Sequence, residues 1–404
     1  AKKTGGRVAL LYVIEPGDFQ AFGAVENLMR EEQRQEAESV LHTHSAEVQE
    51  ICGKTPVFHI REGNLRDELL KAKDKFHAKA ASGLVSNVKT GEIVAMVSLP
   101  DFDPNAPGES SADSRRNRAV YDRYEMGSAF KLFAAAAALE TGVATERSTY
   151  DARGVFKVAD KTIRDFHGEN RVLTLGEAVQ YSSNIAAARI AADLGPARLK
   201  SALKSLGLIE ALDIEFYERR PPELPAQWGP VENATISYGH GIAVTPLHLL
   251  AASAAVVNGG VYRSPTFLAQ REPRAGVRVF SAETSAAMRR IMRNVVTSGT
   301  ASLAEAPGYA PIGKTATAEK PSAGGYNRNA RLSSFVGAFP AERPRYALLV
   351  TLDEPQAVKG TWGYATAGWN AAPTFSAIVP RAAPLLGVMP DYAESGVVAF
   401  VAPQ

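Results

Sequence analysis

The chain is 404 residues long, 45% hydrophobic and 22% charged, the profile of a folded globular protein with room for two or three domains. Its 45 Lys and Arg against 43 Asp and Glu leave a net charge of +2 with no basic block, which excludes the strong positive field of a nucleic-acid or anionic-membrane binder. The single cysteine, Cys52, excludes an internal disulfide, no Cys/His cluster marks a metal or other cofactor site, and no run approaches the roughly 20 apolar residues of a membrane-spanning helix.

The N-terminus, Ala1-Lys2-Lys3-Thr4-Gly5-Gly6, runs into a strand without the basic segment and apolar core of an export signal, as expected of a truncation or fusion. Residues 7–14 form a near-continuous apolar run that predicts a buried strand, ended by Glu15-Pro16-Gly17. An amphipathic helix is expected over 24–51, stopped by Gly53, then a strand over 56–60 and a helical piece from Leu65 to Leu70. This β-α-β-α order predicts a partial Rossmann-like segment with parallel strands.

From Ala81 the pattern changes. Gly83 to Val88 and Glu92 to Ser98 predict a β-hairpin turning at Lys89-Thr90-Gly91. A Pro, Asp and Asn rich loop and a charged stretch lead to a helix from Ser128 to Glu140, closed by Gly142, and helices then dominate the middle. One of these starts at Thr245-Pro246, an N-cap followed by proline at the first helical position, and stops near Asn258 and Gly259. Strands return at 312–319, 334–339 and 346–353, the last pair turning at Ala341 to Pro344. Strands at both ends with helices between predict an α+β domain around one antiparallel sheet closed by sequence-distant segments. The expected domains are 1–72 and 73–404.

A serine hydroxyl becomes a good nucleophile when a nearby base takes its proton, and a lysine one helical turn on can be that base. Three Ser-x-x-Lys copies occur, at Ser86/Lys89, Ser128/Lys131 and Ser201/Lys204. The first flanks the hairpin turn, where residues three apart in a strand point to opposite faces; the last lies on the polar face of a helix buried through Leu199, Leu203 and Leu206. Ser128 opens a helix, where free N–H groups and the dipole favour developing negative charge, although a helix-capping serine has the same position. Lys131 can serve as base only with its pKa lowered, by burial or by a second cation.

Ser182-Ser183-Asn184 is the only Ser-x-Asn in the chain, suited either to bond the lysine and a substrate backbone or to cap a helix. Lys314-Thr315-Ala316-Thr317 lies on a predicted strand, with Lys314 and Ala316 on one face and Thr315 and Thr317 on the other; a cation there can bind a substrate carboxylate. Literal Lys-Thr-Gly triplets at Lys3 to Gly5 and Lys89 to Gly91 precede the serine and are set aside. His240 is expected to shape a Gly-rich loop, and Trp362 and Trp369 either to border a peptide groove or, as the favoured reading, to pack in the core.

The ordered set Ser128-x-x-Lys131, Ser182-x-Asn184, Lys314-Thr315 resembles that of penicillin-binding proteins and class A β-lactamases. With Val97 to Asn105, Tyr124-Glu125-Met126-Gly127, Tyr238-Gly239-His240-Gly241 and Ala367 to Pro373, residues 73–390 resemble a division-type class B penicillin-binding protein, a peptidoglycan D,D-transpeptidase. The resemblance implies that Ser128 attacks the penultimate D-alanine carbonyl of a stem peptide, releases D-alanine and passes the acyl group to an amine on a neighbouring strand, and that β-lactams acylate the same serine. It assigns Lys131 as base, Ser182 and Asn184 to protons and substrate backbone, Lys314, Thr315 and Thr317 to the terminal carboxylate, and the N–H groups of Ser128 and Thr317 to an oxyanion hole. It implies no cofactor, places the domain on the periplasmic face of the inner membrane, and suggests division glycosyltransferases as partners.

The family has glycine at the position of Ala316, so the extra methyl is expected to narrow the groove and slow acylation, or to leave a non-catalytic penicillin- or peptidoglycan-binding module. A β-lactamase would need a second base, and no Glu-x-x-Leu-Asn follows Ser182. Through Val8 to Gln20 and Ile60 to Leu69, about the first 72 residues resemble the middle of a universal stress protein. They lack that family's opening strand and glycine-rich phosphate-binding stretch, so a structural segment is expected there and ATP binding is not.

Overall fold

The computed structural model describes residues 7–13, 57–61, 65–103, 105–215, 217–270, 272–322, 325–391 and 397–400, with Gln35 and Ser39. Cys52, and the helix expected over 24–51 apart from those two residues, lie outside the described residues. The chain divides into two compact units, one of Ala1–Glu68, Ala306–Ala310 and Ser376–Gln404, the other of Leu69–Glu305 and Pro311–Phe375.

In the first unit, β1 (Arg7–Val13) and β2 (Val57–Arg61) pair in parallel with Ala9 opposite Val57, as the β-α-β pattern predicts. The strand Val397–Phe400 pairs in parallel with the other edge of β1, Arg7 opposite Val397, and completes a three-stranded sheet. This differs from the expected division at residue 72, which gave the whole C-terminus to the second domain. Two parallel strands leave ladder groups unpaired on both edges, and a strand from the far end of the chain satisfies one of them, a pairing that local periodicity does not reveal. Helix α1 (Leu65–Lys75) is longer than expected, with Asp67 and Glu68 in its first turn and Lys73 and Lys75 in its last, each matching the helix dipole.

The second unit is built on β3 (Ala80–Asn87), β4 (Ile93–Leu99), β5 (Ile312–Ser322), β6 (Gly325–Phe339) and β7 (Tyr346–Asp353). They form one antiparallel sheet in the order β5-β6-β7-β3-β4, so the early hairpin closes against the last strand through pairs such as Val350 with Gly83. The expected sheet, with closure by sequence-distant segments, is therefore present. Strand β5 is an edge strand, paired on one side only.

The helices that place the site are α2 (Lys131–Glu140), α3 (Leu175–Gln180), α4 (Asn184–Leu194), α5 (Pro246–Val257) and α6 (Ala282–Ser298). Thr245 caps α5 as expected, its hydroxyl accepting from His248 N–H, and every residue of that helix is buried. Helix α2 is apolar on all sides because five consecutive alanines, Ala134 to Ala138, let α4, α5 and α6 approach it closely. Among the described residues the middle also holds three short antiparallel ribbons too brief for periodicity to reveal. The second, Phe156–Val158 with Lys161–Ile163, delivers Arg164 and Asp165 to the site.

Candidate active site

Ser128 lies in a 3-10 turn, Gly127–Phe130, that runs directly into α2; the helix expected from Ser128 begins its α-helical part at Lys131. The i, i+3 spacing of this turn stacks the two side chains, and Lys131 Nζ donates to Ser128 Oγ at 2.8 Å. The same nitrogen donates to the Ser182 carbonyl at 2.6 Å and approaches Ser182 Oγ at 3.1 Å. Lys131 is 2% exposed. Burial lowers its pKa to about 7, against the opposing pull of the Asp165 carboxylate, so near neutral pH much of the amine is free to take a proton from Ser128.

Ser182 sits at φ 63°, a left-handed conformation that costs a serine about 1–2 kcal/mol and persists only where its surroundings enforce it. Its neighbours do so. Ser183 caps α4 through Ala186 N–H at 3.0 Å, and Asn184, the first helical residue, donates from its side chain to the Arg164 carbonyl at 3.1 Å. Asp165 accepts from Asn184 N–H at 2.5 Å, Ile185 N–H at 3.0 Å and the Ser183 hydroxyl at 2.7 Å. Sequence reasoning missed Asp165, which belongs to no motif; only its place after a short strand and before Phe166-His167-Gly168 marks it as a loop acid.

Strand β5 brings in the third element. Lys314 is wholly buried, its ammonium 3.3 Å from the Thr315 carbonyl. Burial, then repulsion by Lys131, holds its pKa well below the usual lysine range, which places the two amines in one field. Thr315 shares a hydrogen bond with Thr300 at 2.7 Å, and Thr317 Oγ1 accepts from Ala367 N–H at 3.0 Å. The nucleophile turn lies against this strand, since a Cβ on Gly127 would stand 2.9 Å from the Thr317 carbonyl oxygen. All eight residues expected at the site thus lie on two segments that meet at Lys131, Ser128–Lys131 and Ser182–Asn184, or on the strand against which the nucleophile turn packs. Ala316 shares Lys314's face, as alternation predicts, but is 3% exposed; its methyl is covered and does not project into an open groove.

Residues 81–379 match the family described as the penicillin-binding protein transpeptidase domain. The chain belongs to that family. A probable peptidoglycan D,D-transpeptidase FtsI of Caulobacter vibrioides is 44% identical over 336 residues, covering 80% of this chain and 57% of the relative. The chain therefore spans little more than half the length of that protein. The transpeptidase domain of penicillin-binding protein 3 from Burkholderia pseudomallei is similar with a TM-score of 0.71 and 33% identity, over 80% of this chain and 93% of that one. Penicillin-binding protein 3 from Mycobacterium tuberculosis, solved in complex with aztreonam, has a TM-score of 0.74 and 27% identity, over 81% and 77% of the two chains. The α+β transpeptidase fold and the class B resemblance read from the sequence both agree with these relatives.

Within this transpeptidase domain, the segment before Ser128 is clamped by residues of the Tyr124 to Gly127 and Tyr238 to Gly241 stretches. Gly239, at φ +79°, packs so tightly that a Cβ there would lie 2.1 Å from the Gly127 carbonyl oxygen. Glu125 accepts from Gly241 N–H at 2.8 Å and Tyr326 Oη at 2.9 Å and lies 3.2 Å from His240 Nδ1. Burial opposes ionisation of Glu125, but the hydrogen bonds from His240 and Gly241 prevail and hold its carboxyl below its ordinary pKa. His240 thus shapes the Gly-rich loop as expected, by tying it to the residue three before the nucleophile. Beside it, a 340 Å³ cleft lined by Arg123, Glu125, Gly241, Ala318 and Lys320 extends along β5 beyond Thr317.

Trp362 corrects an expectation. It is 80% exposed in the loop after β7, itself at φ 52° between Gly360 and Gly363 at positive φ, and it is not part of the core. Trp369 is half-buried and stacks on Tyr364, with centroids 6.0 Å apart. The rejected Ser-x-x-Lys copies do no joint work: Ser86 is buried in β3 with Lys89 exposed, and Lys204 pairs with Glu210 at 3.1 Å on the surface. Among the described residues, no three His, Cys, Asp or Glu side chains cluster as metal ligands, and no helix is long and apolar enough to cross a membrane.

Proposed function

We propose that this chain is the catalytic part of a serine D,D-transpeptidase of septal peptidoglycan, acting through an acyl-enzyme on Ser128. The observation that carries this reading is the buried Lys131 amine, bonded at once to Ser128 and to Ser182. An extended stem peptide ending in D-Ala-D-Ala lies along the free edge of β5, its terminal carboxylate held by Lys314, Thr315 and Thr317. Ser128 Oγ adds to the penultimate carbonyl as its proton passes to Lys131. The oxyanion is held by the N–H groups of Ser128 and Thr317, worth roughly 3 to 4 kcal/mol per donor.

As the tetrahedral intermediate collapses, the proton moves through Ser182 to the departing D-alanine amine, and Asn184 steadies the peptide backbone. An acceptor amine then enters, gives its proton back along the same path, and releases Ser128 as the new amide forms. β-Lactams acylate the same serine, in keeping with the aztreonam complex of the Mycobacterium tuberculosis relative. By family resemblance the domain works on the periplasmic face of the inner membrane beside a division glycosyltransferase. The unit built on β1, β2 and Val397–Phe400 has a structural role.

The test is incubation with a fluorescent penicillin, Ser128→Ala as control, and mass spectrometry to locate the adduct. A stable adduct on Ser128, absent in the variant, is expected together with slow release of D-alanine from a D-Ala-D-Ala peptide in the presence of an acceptor amine. Rapid hydrolysis of the adduct would indicate a β-lactamase, and an adduct without peptide turnover a binding module.

A further inference from the structure

We infer that Asp165 is a positioning residue of the Ser128 site: its carboxylate locks the tight turn carrying Ser182 and sets a negative charge facing Lys131. Two groups grip this turn. Lys131 Nζ holds Ser182 by its carbonyl and hydroxyl, while Asp165 holds the next three residues through Ser183 Oγ, Asn184 N–H and Ile185 N–H. Ser182, between the two, keeps its left-handed φ of 63° only because both grips are in place. Asp165 arrives on a loop remote from the three motifs, directly after the ribbon strand Lys161–Ile163, so its place there is set by the fold and not by α4 alone.

The carboxylate also acts through charge. The charged groups that face Lys131 are Asp165, from this loop, and Lys314, from β5; Ser128 and Ser182 complete the surroundings and are neutral. Burial favours the neutral amine and Asp165 opposes it, so Asp165 keeps the lysine basic enough to draw the serine proton while burial keeps it unprotonated near neutral pH. A carboxylate that only capped a helix would have no such effect on the pH dependence of acylation.

This inference rests on Lys131 acting as the base. The experiment is the second-order rate of acylation of the whole chain by a fluorescent penicillin as a function of pH, for the wild type, Asp165→Asn, Asp165→Ala and Lys131→Met. Asparagine keeps one oxygen for the two backbone donors and can donate to Ser183, so it removes charge with little change of shape. The acidic limb of the profile is expected to move to lower pH in Asp165→Asn. Asp165→Ala is expected to lose about 10- to 100-fold in rate at every pH as Ser182 drifts from Lys131. An Asp165→Asn limb unmoved from that of the wild type overturns the inference even if the rate falls uniformly, and it does so whether or not Asp165→Ala folds. A wild-type profile without an acidic limb, or a Lys131→Met protein that acylates at the wild-type rate, overturns the assignment of the base and the inference with it.

Discussion

Replacing Lys131 by methionine is expected to make the protein more stable while abolishing acylation. An unfolded lysine titrates near 10.5 and the folded one at about 7, so folding at neutral pH costs on the order of 5 kcal/mol in deprotonation. Methionine fills similar volume and carries no such cost. Against this, the Ser182 carbonyl loses its 2.6 Å donor, a penalty of about 1–3 kcal/mol, which leaves a net gain of about 2 kcal/mol or more. Because the folded pKa lies below the unfolded one, the unfolded chain binds more protons between about pH 7 and 10.5, and wild-type stability rises with pH through that window. The advantage of Lys131→Met is therefore full at pH 7 and below and shrinks towards pH 10. Urea unfolding of both proteins near pH 7 and pH 10, with penicillin acylation measured alongside, checks this. A variant destabilised by the same amount at both pH values would show that Lys131 is not held neutral by burial.

Two further substitutions probe the packing around the nucleophile. Gly239→Ala would place a methyl 2.1 Å from the Gly127 carbonyl oxygen in a residue at φ +79°, so the turn must shift and acylation should fall by about 100-fold. Stopped-flow acylation at fixed penicillin concentration reads this, and a loss under threefold would mean the turn is not set by that contact. Ala316→Gly should change the acylation rate by less than about threefold and cost about 0.5–1 kcal/mol of stability, because the methyl is 3% exposed within a strand. A tenfold gain in rate would show instead that the methyl obstructs the substrate.

The elements that local pattern specifies were legible before the structure. Alternation and turn residues placed the hairpin β3–β4, the strand β7 and the cap at Thr245, and the order of three short motifs selected Ser128 from among three equivalent serines. What escaped was non-local. The parallel pairing of Val397–Phe400 with β1 depends on a partner nearly the whole chain away. Asp165 acts through the backbone N–H groups of Asn184 and Ile185, and a carboxylate that binds N–H groups needs no particular spacing from the residues it holds. Core packing was the favoured reading of Trp362 on residue type, whereas it lies exposed in a loop where it and the nearby Gly360 and Gly363 all have positive φ.

Two routes could lower the lysine pKa on sequence grounds, burial or a second cation, and the structure distinguishes them. For Lys131 the dominant cause is burial, at the start of a helix whose residues Lys131 to Ala138 are all buried. For Lys314 burial again comes first and Lys131 adds the repulsion of a second cation. The two amines therefore have different tasks. In the proposed mechanism Lys131, faced by Asp165, is the base near neutral pH, and Lys314, wholly buried with its pKa also held well below the usual lysine range, meets the substrate carboxylate. The repulsion between them acts across two lysines, one on a helix and one on a strand, that the fold brings into one field.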